Sequence, residues 1–175
     1  MSIILNPVAN NGLILTSFLA IATLLSLGFG WSVKNGNLPF RTVMAFNERQ
    51  LQFMRVWVKI ALGIGVILPL VMLILLWDRS IVRQFLESYL GVVAVQLVCE
   101  VSFSRWFVKS VVVFIGTIYT IFRLWQLWEG LHLMNYPQPE LGLLWLVLLF
   151  WVANLIMLTF MAIPSIFPES EQNSV

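Results

Sequence analysis

Glu100 lies inside a long apolar run, VQLVCEVSFSRW over residues 95–106, with Gln96 four residues before it. On a helix that spacing puts the amide and the carboxyl on one face, and Ser104 continues the face. A carboxyl group in hydrocarbon is costly, so such groups face a bundle interior or a water-filled cavity, pair where they can, and mark proton or substrate paths. Lys59, Arg123 and Asn154 interrupt other apolar stretches. Together, Lys59, Gln96, Glu100, Arg123 and Asn154 form a candidate intramembrane polar seam. Two functions are open to it: a structural seam that holds helices together, which is the expected reading, or a site for protons or a small ligand.

Pairing follows from depth. Glu100 lies about a turn from the end of its run, and Lys59 less than a turn from the start of its own. If both ends fall on the same membrane face, a Lys59–Glu100 pair is allowed. Arg123 is about 12 Å away in height from Glu100 at 1.5 Å per residue. Its expected partners are instead Asp78, Glu87 or Glu129, or it snorkels to the interface.

Other chemistries find little support. One cysteine, Cys99, allows no intramolecular disulfide, CxxC redox pair or cysteine zinc site. One histidine, His132, allows neither bis-histidine haem ligation nor a histidine-cluster di-iron centre within one chain. The sequence holds no GxSxG, HExxH, GxxxxGK[ST] or GxGxxG motif. Trp125, Trp128, Glu129 and His132 are the residues of a possible headgroup pocket, with an ordinary aromatic belt as the favoured reading. No catalytic residue, metal site or cofactor is expected. No Lys/Arg-rich run exists to neutralise a phosphate backbone, so nucleic acid is not an expected partner.

The elements that must position the seam are transmembrane helices. Of the 175 residues 60% are apolar and 10% charged, and mean hydropathy is +0.92. Soluble domains are nearer half apolar and a quarter charged. Spanning hydrocarbon takes about 20 apolar residues. Five stretches qualify: 12–33, 57–77, 86–106, 110–128 and 141–163, with four as the alternative count because Gln96 and Glu100 weaken the third. The expected fold is an all-α bundle of five transmembrane helices, with the third and fourth forming an antiparallel hairpin. Seven of the eight tryptophans, all but Trp151, fall near the ends of these stretches, as the aromatic-belt preference requires. The first stretch reads as a retained helix rather than a cleaved signal.

Between the first two spans, residues 40–55, FRTVMAFNERQLQFMR, read as an interfacial amphipathic helix running into the second span. Residues 1–11 form an N-terminal segment, and residues 164–175 a polar, disordered tail. In the second span, Ala61, Gly63 and Gly65 invite close helix approach, and Pro69 should kink the helix. The first and third connections with their flanks carry Lys34, Arg41, Arg49, Arg55, Lys59, Arg105 and Lys109, against Arg79, Arg83 and Arg123 opposite. The positive-inside rule then places the N-terminus outside and the C-terminus in the cytoplasm or stroma, with a prokaryotic-type plasma membrane as the default host and an organelle of that ancestry as the alternative.

No internal repeat is evident, which argues against a simple inverted-repeat transporter. Short loops and missing catalytic constellations point first to a non-catalytic subunit or assembly factor of a larger membrane complex, whose partners are the lipid bilayer and other membrane chains. A small transporter or ligand-binding protein using the seam comes second, and a lipid-modifying enzyme third.

Overall fold

A computed structural model describes residues 7–133 and 138–168 of the chain. The protein is an integral membrane bundle, 83% helical and without strands among the described residues. Five helices are long and apolar enough to cross a membrane. They are α1 (Pro7–Lys34), α2 (Glu48–Leu75), α3 (Ser80–Trp106), α4 (Val111–Leu133) and α5 (Glu140–Ile166).

The α3–α4 hairpin is the centre of the bundle. On one side α1 packs into it, burying Ala22 and Val33 with Val92, Cys99, Phe103, Ile115 and Tyr119. On the other side lie α2 and α5, whose Met72, Val147 and Trp151 share a core with Leu86, Tyr89, Val93 and Leu127. Close approach is enabled where glycine meets an aromatic ring. A Cβ on Gly130 would stand 2.4 Å from the Phe85 ring, and one on Gly65 would stand 2.6 Å from Cζ2 of Trp151. The small-residue stripe in α2 is therefore a packing site, and its partner is the one tryptophan that departs from the belt pattern. Six tryptophans (31, 77, 106, 125, 128 and 145) are exposed at the outer surface. Trp57 is half-buried and turned inward.

The two helices with an internal proline widen in the same register relative to it. In α2 the backbone is π-helical over Gly63–Ile67, with the Leu68 N–H donating to the Gly63 carbonyl, and Pro69 follows. In α5 it is π-helical over Leu158–Ala162, with the Ile163 N–H donating to the Leu158 carbonyl at 2.8 Å, and Pro164 follows. Proline has no N–H and its ring clashes with the carbonyl four residues back. A single wide turn just before it moves that carbonyl aside. The kink expected at Pro69 thus takes the form of a π turn.

Residues 40–55 divide in a way their apolar spacing did not predict. Residues 40–47 are not helical, and the helix starts at Glu48. The physical reason is Asn47. Its side-chain oxygen accepts from the Gln50 N–H at 2.8 Å, and the Gln50 side chain accepts from the Asn47 N–H at 2.9 Å, a reciprocal cap that sets the first turn. From there one continuous helix runs into the membrane, so the amphipathic segment is the first part of α2.

The preceding connection is a clasp. It leaves α1 through Gly36, whose positive φ closes a Schellman turn with Asn37 N–H donating to Ser32 O. The Arg41 and Ala45 N–H groups then donate to Ile166 O and Ser165 O, and the Ser110 N–H donates to Thr42 O. These bonds tie the first connection to the end of α5 and to the α3–α4 turn. They also order residues that composition alone assigned to a disordered tail: Pro164–Ile166 form a 3₁₀ turn with Ser165 and Ile166 buried. Residues 169–175 of that tail, residues 134–137 between α4 and α5, and residues 1–6 lie outside the described residues.

Candidate functional site

Four of the five seam candidates meet in one place. Gln96 and Glu100 on α3, Arg123 on α4 and Asn154 on α5 line a cavity of about 210 Å³ between α2, α3, α4 and α5. The rest of its wall is mainly apolar, from Val93, Leu97, Met157 and Leu158 among others, and Met44 of the clasp also lines it.

Arg123 is the centre of the arrangement and is 2% exposed. Its Nη2–H donates to Oε1 of Gln96, and Nε2–H of Gln96 donates to Oε1 of Glu100. The amide is thus a relay between cation and carboxyl. A glutamine suits this position because it offers an acceptor and a donor at once. The helical heights that separate Arg123 from Glu100 are bridged by the Gln96 side chain, and Gln96, the deepest polar group of the 95–106 run, thereby gains two partners.

The guanidinium also lies over the indole of Trp151, 4.1 Å from the ring centroid. A desolvated cation over tryptophan is stabilised by about 2 kcal/mol or more. The indole N–H donates to the Tyr89 hydroxyl at 2.7 Å, and that hydroxyl donates to the Gly65 carbonyl at 2.8 Å. Gly65 is four residues before Pro69, so its carbonyl lacks the usual intrahelical N–H donor from that position. Tyr89 supplies a replacement. A second small web joins three helices beside the cavity: Trp57 Nε1–H donates to Asn154 Oδ1 at 2.8 Å, and Asn154 Nδ2–H donates to Thr120 Oγ1 at 3.1 Å.

Not every polar atom is served. The Nε of Arg123 and the Oε1 of Gln126 are buried without a hydrogen-bond partner. Such atoms are uncommon in interiors and call for an explanation when found.

Several pairings predicted from depth are not made. Lys59 is exposed and forms no ion pair among the described residues. It follows Trp57, which faces inward, by two positions, and so lies on the other side of α2. Depth allowed the Lys59–Glu100 pair; helical register forbids it. Arg123 does not snorkel and does not use Asp78, Glu87 or Glu129. Glu87 instead pairs with Arg83 at 3.7 Å, and Arg79 pairs with Glu140 at 3.8 Å.

The other candidate pocket resolves into an aromatic groove. Trp125, Trp128 and Trp145 with Leu124, Leu148, Leu149 and Val152 line about 440 Å³ on the outer face between α4 and α5. Glu129 and His132 are exposed and do not line it. His132 Nδ1 sits 2.8 Å from the Trp128 carbonyl. The groove has no polar side chain to fix a headgroup.

Tyr89, Thr120 and Trp57 were not expected in the polar network. Tyr89 had a signal: it precedes Gln96 by seven residues, two helical turns on the same face. Trp151 had another, being the one tryptophan placed deep in a span. Comparison of the chain with protein-family models, with curated proteins and with solved structures finds no match.

Proposed function

We propose that this integral membrane protein binds a small polar solute within its bundle, in the cavity that Gln96, Glu100, Arg123 and Asn154 line. The observation that carries the reading is Arg123 itself, a buried guanidinium that lines an otherwise mainly apolar cavity beside Gln96, Glu100 and Asn154. A solute acceptor that reaches the guanidinium from the cavity offsets part of the cost of burying the cation, and the cavity provides the space. An engineered protein cavity of about 150 Å³ takes benzene, so a volume of about 210 Å³ accepts a small organic molecule. By the charge distribution, the first-loop face lies on the cytoplasmic side of a prokaryotic-type plasma membrane, with the N-terminus outside.

The test is a thermal-shift screen of the purified protein in mild detergent against small polar, anionic and cationic solutes. Binding raises the unfolding midpoint in a dose-dependent way. The expected result is a shift with at least one solute class that is lost in Arg123→Gln. A flat response to every class would overturn the reading.

The second reading, a non-catalytic subunit or assembly factor, is favoured by α1. Only 11% of its apolar window is buried in the bundle, which leaves a full helix face for a partner chain. Native-gel migration in mild detergent separates the two. A ligand-binding protein migrates as itself and responds to solute, whereas a subunit co-migrates with defined membrane chains and loses stability without them.

A further inference from the structure

Resting on that ligand-binding reading, we infer that the cavity takes a short-chain monocarboxylate together with one proton, the anion at Arg123 and the proton at Glu100. The reason is charge balance. The cavity wall holds one guanidinium and one carboxylate, and its remaining side chains are neutral. Seen from Glu100, α4 contributes Arg123 as the facing ionisable group and α5 contributes neutral Asn154. No ionisable side chain of α2 or of the first connection lines the cavity, Lys59 being exposed on the far face of α2. Cys99, the neighbour on α3, packs toward α1 instead.

Placing a lone charge in such a low-dielectric space is opposed by a large desolvation cost. A monoanion entering by itself leaves the site with a net charge of −1. If a proton enters with it and binds Oε2 of Glu100, the site remains neutral. Oε1 still accepts from Gln96, so the relay from Arg123 survives protonation. A monocation has no equivalent route: arginine does not give up a proton in proteins, and an ionised Glu100 has none to release. The net step is A⁻ plus H⁺ from solvent to a bound anion and a neutral carboxyl, with no bond to carbon made or broken.

The size and lining select within the anions. A carboxylate oxygen accepts from the Arg123 guanidinium, a charge-assisted bond stronger than a neutral one. The short hydrocarbon tail then lies against Val93, Leu97 and Leu158. A bare halide would leave that apolar volume unfilled, and a phosphate dianion would need two protons where one carboxyl is present.

The experiment is calorimetric titration of the full-length protein in detergent with acetate, propionate and butyrate, each in two buffers of different ionisation enthalpy. The expected result is uptake of about one proton per anion bound, with affinity falling about tenfold per pH unit in the alkaline range. Glu100→Gln keeps the acceptor for Gln96 and should bind the same anions with no proton uptake and no pH dependence. Anion binding by the wild type without proton uptake overturns the inference and leaves the ligand-binding reading standing. So does proton uptake that persists in Glu100→Gln, or binding confined to neutral solutes. Absence of binding by carboxylates and by every other solute class overturns both.

Discussion

Two cations, Arg123 in the interior of α4 and Lys59 on α2, lie in comparable apolar surroundings in the sequence and end in opposite environments. Arg123 is sealed among four helices, hydrogen-bonded to Gln96 and stacked on Trp151. Lys59 looks outward from the bundle. Depth in the membrane does not separate them; angular position on the helix does. The sharpest way to break the comparison is to remove the buried cation. Arg123→Met leaves the Gln96 carbonyl oxygen without its donor and the Glu100 carboxylate without a compensating charge. Breaking a buried charge pair from one side costs about 3–5 kcal/mol. We expect a loss of that order in unfolding free energy, measured by denaturation in mixed micelles. A loss below about 1 kcal/mol would mean that the Gln96 and Trp151 contacts contribute little.

The next two changes reach the same cation through its neighbours. Gly65→Ala pushes a methyl group into the Trp151 indole, which is held by Tyr89 on its edge and by Arg123 on its face. The ring has nowhere easy to go, and overpacking of this kind costs about 1–3 kcal/mol. Gly63→Ala, two positions away with open space around its Cβ, is the matched control and should cost less than half as much. Tyr89→Phe keeps the ring and removes the hydroxyl that serves both Gly65 O and the Trp151 N–H. Interhelical hydrogen bonds inside membranes are worth about 0.6 kcal/mol on average and up to about 1.7. With two bonds lost together, about 1–2 kcal/mol is expected. Altered Trp151 emission, read in a variant whose other tryptophans are replaced by phenylalanine, should accompany it.

The comparison also marks what a linear reading resolves. Span number, the α3–α4 hairpin and the outward face of most tryptophans follow from hydropathy and interfacial preference, which are local properties. The choice of Gln96, Glu100, Arg123 and Asn154 as candidate polar groups was legible for the same reason: each is anomalous against its own neighbours. Which of them meet was not. That depends on rotation about each helix axis, and a rotation is fixed only by the partner. Trp57 shows the point, since its position in sequence suits a membrane-interface ring, yet its indole N–H reaches inward to Asn154. The π turns are a second case. Pro69 was legible as a kink site, but the Gly65 carbonyl became informative only once Tyr89 was seen to occupy it. The clasp over residues 35–47 is a third. Its apolar side chains mimic a helical stripe, while its backbone bonds go to Ile166 and Ser165, more than a hundred residues away.

The smallest expected effect is the one at the other cation. Lys59→Met exchanges an exposed ammonium for a side chain of similar length that suits hydrocarbon better. No ion pair among the described residues is lost, and the flanking Trp57 and Ala61 keep their inward packing. Surface changes away from packed or hydrogen-bonded features stay within about 0.5 kcal/mol. The same micelle denaturation that reports Arg123→Met should therefore find Lys59→Met unchanged within that margin, and carboxylate titration should return the wild-type proton count. What the substitution can alter is the balance of positive charge between the two faces, because Lys59 is one of seven basic residues on the first-loop side. Positive-inside orientation responds to that balance rather than to contacts in the bundle. If Lys59→Met instead destabilised the fold as Arg123→Met does, the outward assignment of Lys59 would be wrong, and register would no longer explain why two cations in similar sequence settings differ.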